Sequence, residues 1–305
     1  MEAHSANAVL LVRPACFGFN AEAAESNVFA HASADADIQA KAAGEFDALA
    51  RRLSDSGIDV LVLDDTADPA KPDAVFPNNW FTTHADGTLV VYPMATAPRR
   101  VERRPEDVCE LVEKRGFEVR RIVDLTVHEA EGRFLEGTGS LLLDRARHRA
   151  FASLSSRTDA EAVADFDRQL GYSTFVFDAH DPGGRPIYHT NVLLSLGSSF
   201  AVLCPEAVAS EHRDPLVSEL EATGRTVVEM SFAQLRRFGC NLLELRGRNG
   251  PIIAMSAKAL ANLLPEQIRA LERFGDILSA DIPTIEAVGG GSVRCMIAEI
   301  HLALR

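Results

Sequence analysis

The sequence has no HExxH, no glycine-rich phosphate loop, no GxGxxG after an apolar run and no Cys/His spacing suited to zinc. Neither a metal nor an organic cofactor is expected, so any chemistry must come from side chains. Cysteine is scarce: five residues, at positions 16, 109, 204, 240 and 295, with no CxxC pair. An odd, scattered set fits a reducing compartment better than a disulfide framework. Basic charge is also short. There are 31 Lys and Arg against 44 Asp and Glu, for a net charge of -13 and a pI near 5.2. That balance argues against nucleic acid or an anionic membrane as partner, since both reward Lys/Arg clusters. The one basic cluster, Pro98 to Arg104, contains Glu102. No apolar run approaches the roughly 20 residues of a membrane span. Met1 to Pro14 lacks a basic segment leading into a long apolar one. The expectation is a soluble, cytoplasmic protein. No Ser/Gly-rich or Pro-rich linker interrupts the sequence, so residues 1–305 read as a single domain.

What the sequence does have is a period. Short polar clusters recur at the edges of apolar runs: Asn78-Asn79 in VFPNNWF, Glu136 in FLEGTGS, His189 and Asn191 in IYHTNVLL, Cys240-Asn241 in RFGCNLLEL, and Cys295 in GGGSVRCMIAEI. From Asn79 through Glu136, Asn191, Asn241 and Cys295 the steps are 57, 55, 50 and 54 residues. A fainter member, RPACFGFN, ends at Asn20, 59 residues before Asn79. A period of this length signals a repeat architecture. After each cluster, β-rich runs flank a turn, as around Asp86-Gly87, Gly197-Ser198 and Asn249-Gly250. Helix-like stretches follow at Ala36–Ser54, Pro105–Arg115, Asp159–Leu170, Ala207–Thr223 and Pro265–Phe274, then short strands such as IDVLVLD, STFVFDA and IPTIEAVGG. The unit is hairpin, helix, strand, repeated about five times. If every unit presents its polar cluster to a shared centre, distant residues meet there.

Those residues suit thiol chemistry. Cys295 follows Gly289-Gly290-Gly291-Ser292, whose backbone allows close approach of a ligand. As a nucleophile it needs nearby positive charge, for which Arg294 and His189 are candidates. His189 would serve as general acid/base. Glu136, a lone carboxylate among apolar and small residues, would orient His189 or grip a substrate N–H. Asn78 and Asn79 could bind a planar polar group, with Asn20, Asn191 and Asn241 as further binding candidates. Arg157 in SLSSRTD offers a fork for a substrate carboxylate, and Arg100 and Arg103 are weaker candidates. Cys240 is the alternative nucleophile. The Ala-rich Glu22–Ala43 stretch reads as helix-prone and as a lid over the centre.

Taken together, these motifs resemble the guanidine-modifying (pentein, amidinotransferase-like) superfamily, which includes arginine deiminases, dimethylarginine dimethylaminohydrolases and succinylarginine dihydrolases. RPACFGFN, VFPNNWFTTHADGTLVVYPM, FLEGTGS, IYHTNVLL and SADIPTIEAVGGGSVRCMIAEI look like its citrulline-utilisation hydrolase branch, over nearly the whole sequence. The resemblance implies a five-bladed α/β propeller of ββαβ units. It also implies a Cys295 nucleophile, a His189 acid/base, Glu136 as acidic partner and Arg157 as substrate-binding arginine. Two departures stand out. Asn79 (or Asn78) occupies a position where arginine-processing members carry a carboxylate, and His189-Thr190-Asn191 replaces an HxD pattern. Neutral amides suit a neutral ureido group, so the expected reaction is citrulline to ornithine, carbon dioxide and ammonia. The alternative is arginine deiminase or dimethylarginine hydrolase activity. A non-enzymatic binding role on the same fold would predict loss of Cys, His or Glu, and all are present. The expected partner is a small amino-acid substrate, and a homodimer is compatible with this reading.

Overall fold

The computed structural model describes residues 4–305. Among them, fifteen strands form five three-stranded sheets of one pattern. The first sheet holds β1 (Ala8–Arg13) and β2 (Asp59–Asp64), with β15 (Ala298–Ile300) on the other side of β1. The second holds β3 (Phe81–Thr83), β4 (Thr88–Val91) and β5 (Arg121–Asp124). The third holds β6 (Leu142–Asp144), β7 (Arg149–Ser153) and β8 (Ser173–Phe177). The fourth holds β9 (Leu194–Leu196), β10 (Phe200–Leu203) and β11 (Thr226–Glu229). The fifth holds β12 (Leu243–Arg246), β13 (Pro251–Ser256) and β14 (Asp276–Ala280). In each, the middle strand runs antiparallel to one neighbour and parallel to the other. Parallel neighbours need a crossover, and each crossover carries a helix: Ile38–Asp55, Pro105–Lys114, Ala160–Leu170, Ser210–Ala222 and Pro265–Glu272.

Local chemistry sets these helices. Ile38–Asp55 buries Ala42, Phe46, Leu49 and Leu53, spaced by helical turns on one face. Asp159 caps Ala160–Leu170 by accepting from the N–H groups of Glu161 and Ala162, and Gly171 (φ 70°) ends it. Pro105 and Pro265 each open a helix, where a missing N–H costs nothing.

The apolar clusters lie between consecutive sheets. Ala8, Leu10 and Val12 pack with Phe81, Leu89 and Val91. Val90 and Val123 pack with Leu143, Ala150 and Phe166. Phe151 and Phe177 share a cluster with Leu194, Phe200, Ile253 and Met255. Leu245, Ile252 and Leu278 return to Val9, Leu11 and Phe46. The fifth sheet therefore packs on the first.

Two local expectations are corrected. IPTIEAVGG is not a strand: Ile285–Gly289 is a π-helical turn, and the fifth unit's last strand is Asp276–Ala280. The Glu45 carboxylate accepts from the N–H groups of Thr284 (2.9 Å) and Ile285 (3.0 Å) and so caps a helical start. The Ala-rich stretch is helical only at Ala21–Ala24 and again from Ile38. Between them Asn27 anchors the backbone by donating to Gly290 O at 3.2 Å.

Candidate active site

The polar clusters sit on short helical turns just before the strands: Pro77–Asn79 before β3, Gly137–Ser140 before β6, Thr190–Val192 before β9, and Val293–Met296 before β15. Such a turn lets a polar side chain leave the strand line while the apolar strand behind it enters the core. Asn78, Asn79, Glu136, His189, Asn191, Asn241 and Cys295 are all buried. They are buried at a shared centre rather than exposed at a rim.

Asn241 Nδ2 lies 3.4 Å and Asn191 Nδ2 3.7 Å from Cys295 Sγ. Two amide donors aimed at one sulfur suit a thiolate acceptor. The amides are fixed in turn, because Asn241 also donates to Asn191 O at 3.0 Å and Asn191 to Thr138 O at 3.2 Å. His189 Nε2 donates to Glu136 Oε2 at 2.8 Å. An ionised carboxylate can only accept, so the proton sits on Nε2 and the Nδ1 lone pair is left for chemistry. Glu136 also accepts from Ala95 N at 3.0 Å and from Arg157 Nη1 at 3.3 Å. Burial alone would raise the Glu136 carboxyl, but Arg157, the His189 hydrogen bond and Arg99 outweigh it and hold it well below the usual range.

Burial lowers His189 to about 4, against the opposing pull of Glu136, with Arg157 and Arg99 adding to the fall. Burial and Arg145 lower His301 to about 4 likewise. Both histidines are therefore neutral in the folded protein near neutrality. Below the ordinary value of 6.5 the unfolded state takes up protons that the folded one refuses, so stability falls as pH falls from 6.5 toward 4. Each histidine should contribute a loss of up to about 3 kcal/mol. The fall in urea midpoint from pH 7 to pH 4.5 should be smaller in His189→Gln than in the wild type, since the opposing gain from Glu102 is common to both; equal falls would contradict it.

Gly139 has no room for a side chain. A Cβ there would stand 2.5 Å from Asn79 Nδ2 and 2.8 Å from His189 Nδ1. Gly139→Ala should displace both groups and cut activity at least about a hundredfold, the scale of a misplacement near 1 Å. Unchanged kcat/KM would show that the two side chains are not positioned there for function.

Asn79 is held through its oxygen, which accepts from Arg99 Nη1 at 2.8 Å, and its Nδ2 has no partner among the described residues. Asn78 Nδ2 donates to Thr138 Oγ1 at 3.3 Å, while its Oδ1 is unpartnered among the described residues. Arg99 was not singled out by sequence. It is 2% exposed and pairs with Glu102, with Nη2 2.9 Å from Oε2. Asp73 stands 3.9 Å from Arg99 and accepts from Asn20 Nδ2 at 2.8 Å. Burial pushes Asp73 up and Glu102 up to about 7, with Arg99 opposing both. Three carboxylates, Asp73, Glu102 and Glu136, thus surround two guanidiniums, Arg99 and Arg157.

Several candidates fall elsewhere. Arg157 is buried, but its fork is engaged internally: Nε donates to Ser26 Oγ (2.9 Å), Nη2 to Ala23 O (2.6 Å) and Nη1 to Glu136. Arg100 and Arg103 both pair with Glu129. Arg294 gives its hydrogen bonds to Ile297 O and Glu299, while its charge still reaches Cys295. Cys240 lies fully buried in an apolar cluster, where burial pushes its thiol well up, so it is a core residue and not a second nucleophile. Asn20 acts through Asp73 and caps Ala21–Ala24. Among the described residues there is no metal-ligating cluster of three or more His, Cys, Asp or Glu, and no helix long and apolar enough to cross a membrane.

Residues 13–302 match the family described as N,N dimethylarginine dimethylhydrolase, eukaryotic. No curated protein sequence matches significantly. Among solved structures, the substrate-bound N-terminal domain of ArgZ, an arginine dihydrolase from the ornithine-ammonia cycle in cyanobacteria, superposes with TM-score 0.75 at 14% identity, covering 96% of this chain and 97% of that one. AgrE in binary complex with L-arginine gives 0.73 at 16% identity, covering 98% of this chain and 40% of that one. A dimethylarginine dimethylaminohydrolase carrying an S-methyl-L-thiocitrulline adduct gives 0.66 at 16% identity, covering 97% and 100%. At these identities the likeness is one of fold: a mixed α/β arrangement of small sheets, shared with pentein guanidine-modifying hydrolases.

Proposed function

The chain belongs to the N,N dimethylarginine dimethylhydrolase family, and from that premise we propose that it hydrolyses a guanidino C–N bond of arginine or an N-methylated arginine through Cys295. We read the five sheets as blades of one propeller, with the catalytic residues at the ends of its inner strands. The observation that carries the reading is the Glu136–His189 pair at 2.8 Å in the same buried centre as a thiol held by two amides. The Cys295 thiolate attacks the guanidinium carbon. His189 Nδ1, neutral at the start, has taken the proton of the Cys295 thiol and passes it to the departing ammonia, methylamine or dimethylamine. The resulting S-linked amidino intermediate is attacked by water that His189 deprotonates, releasing a ureido amino acid and the thiol. The Glu136 carboxylate, held ionised at the buried centre beside His189, supports a cationic substrate.

A ureido substrate of the citrulline type is the second reading. Its support is the unpartnered Asn79 Nδ2, a donor beside His189 Nδ1 that a ureido oxygen would satisfy. The family match and the arginine-bound relatives favour the guanidino reading over it. L-arginine, N,N-dimethyl-L-arginine and L-citrulline should be assayed side by side for ammonia, amine and amino-acid products. Consumption of either guanidino compound supports the first reading. Consumption of citrulline alone overturns it in favour of the second.

A further inference from the structure

Lys71 stands in DDTADPAKPD, a polar stretch in which a lysine is expected at the surface, yet it is only 1% exposed. Oxygens of the loop that leaves β2 enclose its ammonium. Nζ donates to Thr66 Oγ1 at 2.7 Å, to Pro69 O at 2.8 Å and to Thr66 O at 2.9 Å. These contacts use every N–H that an ammonium has. Asp65 Oδ1 adds a further oxygen at 3.2 Å, and the Asp65 side chain is as buried as the lysine. Neither Asp65 oxygen accepts a hydrogen bond among the described residues, so the Lys71 charge is what compensates that carboxylate. Residues 65–69 thus build a cation cage from one loop, and the cation comes from just beyond it.

Lys71 also begins the run of turns that leads into the catalytic centre. Ala74 N donates to Lys71 O at 3.2 Å, Phe76 N to Asp73 O at 2.9 Å and Asn79 N to Phe76 O at 3.4 Å. Along that run, Asp73 accepts from Asn20 and Asn79 from Arg99. The Phe76 ring lies against Gly289 and Gly291, in the loop before Cys295. The loop of the cage is tied in turn to the segment that carries Asn20, because Cys16 Sγ donates to Ala67 O at 3.4 Å. Holding Lys71 therefore fixes where the run starts, and through it where Asn79 and Phe76 stand.

We propose that residues 65–69 form a binding site for a primary alkylammonium cation, that Lys71 fills it as a tethered ligand, and that this occupancy positions the Asn78-Asn79 turn for the reaction. The cage stands on its own geometry, while the positioning role rests on the reading of the centre as a hydrolase. The ligand class follows from the cage, which offers only acceptors around a compact charge. A quaternary ammonium has the charge but no N–H to give. A guanidinium spreads its donors over a rigid plane, so arginine does not replace lysine here.

Chemical rescue tests both parts. Lys71→Ala should melt about 5 °C or more below the wild type, because Asp65 loses its buried partner. Propylammonium chloride should return at least about half of that loss, and tetraethylammonium chloride at equal ionic strength should return none. Lys71→Met keeps the stem without the ammonium and should melt about 5 °C or more below the wild type as well. In steady-state assays of the folded Lys71→Ala variant with L-arginine or N,N-dimethyl-L-arginine, kcat should fall by about tenfold or more with KM little changed. Propylammonium should bring kcat back to within about threefold of wild type. Equal melting of Lys71→Met and wild type, or equal recovery in tetraethylammonium, overturns the cage. A rescued melting temperature with kcat within about twofold of wild type throughout overturns the positioning role. Rescue of melting in a protein whose wild type turns over no guanidino compound supports the cage and sinks the hydrolase reading, and the positioning role with it.

Discussion

Cys295→Ala should lower turnover of the guanidino substrate by at least about 10⁴-fold, the scale on which removal of a covalent nucleophile acts. The reason lies in the division of labour around the sulfur. Asn191 and Asn241 donate to it, and His189, fixed by Glu136, stands ready to move protons. None of the three can replace the atom that forms the bond. Folding should be little changed, because a thiol and a methyl differ modestly in volume, at a cost of about 1 kcal/mol. Cys240→Ala is the control. Its thiol is enclosed in apolar side chains and should leave kcat/KM within about twofold while costing a similar amount of stability. Retention of more than a tenth of wild-type activity by Cys295→Ala, with Cys240→Ala inactive, would exchange the two roles.

Arg99→Ala should destabilise the fold by about 3–5 kcal/mol, the usual result of removing one partner from a buried ionic cluster. Arg99 holds Glu102 by three contacts of 2.9 to 3.2 Å, Asn79 Oδ1 at 2.8 Å and Phe76 O at 3.2 Å. Its loss leaves Glu102 and Asp73 buried beside Glu136 with one cation fewer, and it releases the Asn79 amide. Guanidinium or urea denaturation measures the first effect. Arg99 holds Glu102 down to about 7, so its loss should raise that carboxyl further, and protonation should shrink the deficit as pH falls toward 7. A deficit under 1 kcal/mol at pH 8 would mean that the cluster is not held together by Arg99.

The unit order was readable because each repeat changes period in the same sequence: an apolar hairpin, a 3.6-periodic helix, then a short strand. Asn79, Glu136, His189, Asn191, Asn241 and Cys295 were readable as a set because polar residues interrupt apolar strand starts at even spacing. Arg99 was not, since its meaning depends on Glu102, the residue that made Pro98 to Arg104 look like diluted surface charge. Ile282 to Gly290 misled for a different reason. Its branched side chains suggest extension, but Glu45, far away in sequence, supplies a cap for its N–H groups. Gly289 and Gly291 then lie against the Phe76 ring, where an added Cβ would stand 2.9 and 2.7 Å away. The pairing of Lys258 with Glu286 likewise joins two segments whose separate patterns carry no hint of each other.

The first sheet pairs Leu10 of β1 with Ala298 of β15, three residues after the nucleophile. Contacts that close so long a loop form late, because the entropy of closure must be met before they reward it. Cys295 can be seated between Asn191 and Asn241 only after the residues of all the earlier units have been made. During synthesis the four earlier sheets can mature around an unarmed centre, and the thiol is fitted into it as the closing step.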